Sequence, residues 1–150
     1  MPQVRVTIDD NGFARRCDYL AAKLDDVMRE IVGDGVTTAH RNVATELTRK
    51  THPPGTPTPS VPPEPPALIT GNLRRSAQDR LPVRIGRAAW EGALRMTAAY
   101  ARIQAKGGWT GRNHATYLPP RDYITPAVHA TVKPLRARAV VRLRSLFQRL

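Results

Sequence analysis

Eight of the fourteen prolines in this chain lie between Pro53 and Pro66, and that run restricts the fold more than any other feature. Proline lacks the amide donor and fixes φ, so such a stretch cannot be the interior of a helix or a sheet. Residues 51–67 are therefore expected to form an extended, polyproline-like arm within a single domain spanning residues 1–150. Two readings of the arm stay open: a semi-rigid linker, or a strap lying on a neighbouring subunit. A chain of 150 residues buries about two-thirds of its unfolded surface. Only 5% of its residues are aromatic, and much of its 41% apolar content is alanine. A thin core of Leu, Val and Ile is expected, of the kind that completes its burial against neighbours.

Charge is unevenly placed. Residues 1–34 hold seven of the twelve acids and five basic residues, a local net of −2, so with a total of +12 residues 35–150 carry +14. A basic exterior of that size points to nucleic acid, an anionic membrane or acidic protein partners. One cysteine, Cys17, rules out an internal disulfide framework and fits a reducing compartment. No apolar run approaches the length of a membrane span, and residues 1–10 have no signal-peptide core, which places the expected site of synthesis and first use in a cytoplasm.

Residues 3–8 alternate with Val4, Val6 and Ile8 on one face, predicting a half-buried strand. Cys17, Leu20, Ala21, Leu24, Val27, Met28 and Ile31 follow at helical spacing. Gly33-Asp34-Gly35 predicts a kink or a short turn, and Val36 to Arg49 resumes the helical pattern. Beyond the arm, Leu68 to Gln78 reads as a short helix capped by Thr70 or Asn72 with Leu73 as its anchor. Leu81, Val83 and Ile85, then Leu94, Met96 and Ala98, read as a hairpin flanking Gly86 to Gly92. A glycine-rich flexible loop runs from Gly107 to Asn113 and ends at Pro119-Pro120. A last helix is expected with Thr125 as N-cap and Pro126 at the first position. Its apolar stripe is Val132, Leu135, Ala139, Leu143, Leu146 and Leu150, and Pro134 is a candidate kink. Its other side is basic, and Lys133, Arg136, Arg138, Arg142 and Arg144 are the candidate contacts to an anionic partner. The fold class is α+β: a small antiparallel sheet packed by a long N-terminal and a C-terminal helix.

Catalytic patterns are missing from this reading. His40, His52, His114 and His129 sit in different elements without metal-like spacing. Gly107-Gly108-Trp109-Thr110-Gly111 lacks the lysine of a phosphate-binding loop. Cys17, on an apolar stripe, reads as a small core residue. No catalytic, cofactor or metal site is assigned.

Ile69-Thr70-Gly71-Asn72-Leu73-Arg74-Arg75-Ser76 is similar to the "TGxLRxS" segment of a family of small neck and tail-completion proteins of long-tailed bacteriophages. Tyr100-Ala101-Arg102-Ile103-Gln104, running into Gly107-Gly108, resembles its "YAxxxExG" stretch, with Gln104 or Ala105 where the family has an acid. Pro119-Pro120-Arg121-Asp122-Tyr123-Ile124-Thr125-Pro126-Ala127 resembles its "PxRPFLxPA" ending, with Asp122-Tyr123 replacing Pro-Phe. The residues that carry the likeness are Thr70, Gly71, Asn72, Leu73, Arg74, Tyr100, Gly107, Pro120, Tyr123 and Pro126. The resemblance implies a virion protein at the head–tail junction, assembled in the host cytoplasm as a cyclic homo-oligomer, by likeness a hexamer. Its implied partners are adjacent head-side connector and tail-side proteins, with DNA passing through the channel and no membrane. A tail terminator capping the tail tube is the alternative within the same class. A free basic nucleic-acid-binding protein is the alternative outside it.

Overall fold

In a computed structural model that describes residues 12–53, 55–56, 60–87 and 89–148, one helix, α1 (Phe13–Glu46), runs unbroken through Gly33 and Gly35. The expected break at this pair does not occur, because the glycines serve close approach rather than a turn. A Cβ on Gly35 would stand 2.9 Å from Leu135 Cδ2 of the last helix, and one on Gly33 would touch Pro82 at 3.6 Å. Tertiary contact thus offsets the helix cost of glycine, about 1 kcal/mol each. The expected strand at residues 3–8 lies outside the described residues.

After the arm come a single helical turn, α2 (Asn72–Arg75), and an antiparallel hairpin of β1 (Ala77–Gly86) and β2 (Ala89–Met96). The expected helix from Leu68 to Gln78 is therefore much shorter. The Ser76 hydroxyl donates to Leu73 O at 2.7 Å, and Ser76 O accepts from the Thr97 amide at 2.9 Å, which turns the chain into the sheet. The expected hairpin is present, but Ala89–Gly92, expected between its strands, belongs to β2, and a bulge sets its faces. Arg80 pairs with Ala93 and Val83 with Glu91, so Leu81 and Pro82 together oppose Gly92. That bulge inverts the alternation. Asp79, Pro82 and Arg84 face α1, where Asp79 meets His40 (2.7 Å) and Arg84 meets Asp25 (3.5 Å). Leu81, Val83 and Ile85 face outward. On β2, Gly92 lies so close to α1 that a Cβ would fall 2.5 Å from Val36 Cγ2, and Trp90 donates to Asp25 Oδ1 at 3.0 Å.

The chain continues through α3 (Ala101–Lys106) into a second antiparallel hairpin, β3 (Gly108–Thr110) with β4 (Thr116–Leu118), closed by a 3-10 turn at Arg112–His114. The segment expected to be a flexible loop is thus paired backbone, with Trp109 and Tyr117 in edge-to-face contact at 5.4 Å. The last helix, α4 (Ile124–Phe147), runs along α1 and carries Pro134 within it. The Thr125 N-cap is corrected: Asp122 Oδ1 accepts the amides of Ile124 (2.9 Å) and Thr125 (3.0 Å), and Pro126 is the third residue of the helix rather than the first. The α+β architecture stands, with a long first helix, small antiparallel hairpins and a C-terminal helix.

The core sits at one end, where Val43 and Leu47 of α1 meet Ala105, Tyr123 and Ala127, with Leu73, Leu94 and Met96 packed around them. A polar clamp joins the long helices beside it: Asn42 Nδ2 donates to Thr131 Oγ1 at 2.9 Å, and that hydroxyl donates to Ala127 O at 2.7 Å. The described arm residues are tied to their own domain. Thr51 and Leu68 form a parallel bridge, Lys50 pairs with Glu64, holding that carboxyl below its usual range, and Ser60 and Pro66 are buried.

Candidate interaction surfaces

The three segments that carry the family likeness converge in space. Gly71 starts the first with φ +73° and is buried, Thr70 Oγ1 accepts the Asn72 amide at 3.4 Å, and Asn72 Oδ1 accepts from Arg75 at 2.6 Å. Leu73 leans on the core while Arg74 is exposed. With Leu47, Tyr100 and Gln104 these residues line a cleft of about 250 Å³. Tyr100 sits on the cleft rim and is 43% exposed. The buried tyrosine is Tyr123, which has no exposed surface and whose hydroxyl donates to Ala101 O at 3.3 Å. Burial, then the charges of Asp122 and Tyr100, push its phenol up to about 12. Ile124, the next residue, is 39% exposed.

Gly107 joins the second segment to the third. Its φ of +70° and ψ of 177° belong to a region that essentially only glycine adopts. A Cβ there would fall 2.8 Å from both Leu118 O and Pro120 N. Arg121 N donates to Gln104 O at 2.9 Å and completes the seam. Pro120 and Pro126 are exposed. These segments form the keystone of the fold.

The basic helix divides its arginines. Arg142 is engaged within the chain, donating to Asp34 at 2.8 Å and to Glu30 at 3.5 Å on α1. Arg138 donates to Thr38 Oγ1 at 3.2 Å. Lys133, Arg136 and Arg144 are exposed and, among the described residues, form no ion pair. No acid occurs from Tyr123 to Leu150, so their mutual repulsion is unrelieved within this helix. The carboxylate before it, Asp122, is pushed up by burial. Its hydrogen bonds from the Thr125 side chain and from the amides of Thr125 and Ile124 outweigh that and leave it below its usual range. Asp122→Ala should cost about 1 kcal/mol of stability, as an N-cap does. Because the folded value is depressed, the contribution is present above the usual carboxylate range and is lost as pH falls through that lowered value. Acid titration of melting temperature, with Asp122→Asn as the variant that keeps an acceptor but no charge, checks both points.

Two surfaces were not legible as such in the sequence. The alternation of Leu81, Val83 and Ile85 marks a strand but not which side faces out, although Pro82 in mid-pattern, a residue confined to edges and bulges, signals the irregularity. The exposed Trp109–Tyr117 pair lay in a segment read as loop, where alternation is too short to register.

No family model, curated protein or solved structure matches this chain. Among the described residues, no helix is long and apolar enough to cross a membrane.

Proposed function

We propose that this chain is a structural virion protein that assembles into a ring at the head–tail junction of a long-tailed phage. DNA passes through the ring, and the chain's work is assembly rather than catalysis. One observation carries this reading. The three segments resembling the neck and tail-completion family, separated in sequence, meet around Tyr123 and Gly107 and together build the keystone. A chance likeness in scattered loops has no reason to do so. The core occupies one end of the long helices, which fits a subunit whose remaining surfaces are covered by neighbours. In this reading Lys133, Arg136 and Arg144 meet an anionic partner, either DNA in the channel or an acidic surface of an adjacent head-side or tail-side ring. A tail terminator shares the class and differs only in its partners.

Reversing Lys133, Arg136 and Arg144 to glutamate should leave the domain folded while blocking the joining of heads to tails. Tails that join but hold or eject DNA abnormally identify DNA as the partner. Normal assembly and infection by the triple variant contradict the role given to this charge. Arg142→Glu is the contrasting case. It sets a third carboxylate against Glu30 and Asp34 and should lower stability by on the order of 1 kcal/mol, at the upper end for a half-exposed pair.

A further inference from the structure

The sheet of β1 and β2 is incomplete. Among the described residues it has two strands only, so the edge of β2 away from β1 is open. A lone hairpin is marginally stable, and an open edge offers its unpaired amides and carbonyls to a further strand. β2 and α4 both pack on α1, and between them lies a groove of about 390 Å³ beside that edge. Val32, Val36 and Ala39 of α1, Leu135 of α4, and Trp90 and Leu94 of β2 line it. A strand with one apolar side, set on α1, and one polar side, set in solvent, completes such a layer. Residues 3–8 have that pattern, with Val4, Val6 and Ile8 alternating with Gln3, Arg5 and Thr7. Their apolar row matches Trp90, Gly92 and Leu94, which face α1, and their polar row matches Glu91, Ala93 and Arg95, which face away. The register that sets Arg5 opposite the exposed Glu91 pairs opposite charges and leaves Arg95 four residues farther along.

Chain length decides whose residues 3–8 these are. An extended chain advances about 3.3 Å per residue, so Ile8 stands at most about 13 Å from Gly12, and Val4 at most about 26 Å. At a rise of about 1.5 Å per residue, Val32 and Ala39 lie about 28 Å and 39 Å along α1 from Phe13. Even running straight back along its own helix, the segment's apolar residues fall short of the groove floor. We propose that residues 3–8 of a second copy occupy the groove and add a strand to β2. Donor segment and receiving groove are different surfaces, so the contact is head-to-tail, and its repetition closes a ring when the rotation permits. This inference rests on the ring reading above and names the contact that builds the ring.

Cys17 is the sole cysteine, so Cys17→Ser gives a clean background in the full chain. Arg5→Cys with Glu91→Cys in that background, mildly oxidised, should give a ladder of disulfide-linked trimers and larger species on a non-reducing gel. Each chain then presents two different thiols to two different neighbours. Linked chains that run only as monomers place the segment on its own domain and overturn the exchange, while rings seen beside them leave the ring standing. Bands that stop at dimers show two copies trading strands reciprocally and contradict the ring. Absence of any link from this pair, and from Thr7→Cys with Glu91→Cys, overturns the placement of the segment. Val6→Asp should raise the concentration needed for assembly by about tenfold or more, with the helicity of the free subunit unchanged. Assembly of Val6→Asp at wild-type concentrations overturns the exchange, and a wild-type chain that stays monomeric at every concentration overturns both readings.

Discussion

Gly107→Ala should unfold the C-terminal half of this protein or leave it barely stable. Two costs act together. The backbone at φ +70°, ψ 177° costs a residue with a Cβ about 1–3 kcal/mol. The added carbon would also lie 2.8 Å from Leu118 O and Pro120 N and 2.9 Å from Pro120 Cδ. Two of those atoms are backbone and the third is a proline ring, so none can swing aside as a flexible side chain would. Relief requires moving β4 away from α3, which breaks the Arg121–Gln104 hydrogen bond and withdraws Tyr123 from its site. A loss of about 3 kcal/mol or more is expected, against a total of about 5–15 kcal/mol for a domain. Gly12→Ala is the control: φ is +75° there too, but a Cβ meets nothing within 4 Å, so only about 1 kcal/mol should be lost. Urea denaturation of both variants measures the difference, and equal losses would show that the seam around Gly107 has no special role.

Tyr123→Ala should cost about 3–5 kcal/mol, the range for truncating a fully buried aromatic. Tyr123→Phe keeps the ring and gives up only the hydrogen bond to Ala101 O, worth about 1 kcal/mol. Wild type and Tyr123→Phe also separate at alkaline pH. The folded phenol is raised from 10 to about 12, so the unfolded chain loses its proton first. Stability is fully present below pH 10, declines as pH rises toward 12, and levels off beyond it. Tyr123→Phe should remove that part of the alkaline decline, which pH-dependent thermal melts of the two proteins measure directly.

Legibility in the sequence followed the physical range of each signal. The long helices could be read because an apolar stripe repeated over many turns averages out local exceptions. The glycine pair in α1 misled because a glycine needed for close approach and one needed for a turn are the same residue, and only Leu135 and Pro82 distinguish them. The face of β1 was inverted by one extra residue at Leu81–Pro82, since a period of two has no tolerance for a slip. At the N-terminus of α4, Thr125-Pro126 has the form of a cap, yet Asp122 takes the role because its stronger acceptor reaches both amides. Among the candidate contacts, type and spacing marked α4 as basic. They could not show that Arg142 is held by Glu30 and Asp34, residues more than a hundred positions away.

The central claim, a subunit that works as a ring, is most directly tested by imaging and weighing the purified protein over a range of concentrations, alone and with tail or head material. Negative-stain images with native mass measurement should show a closed cyclic oligomer with a central opening, by likeness sixfold. A well-folded monomer that never associates, even beside heads and tails, would contradict it.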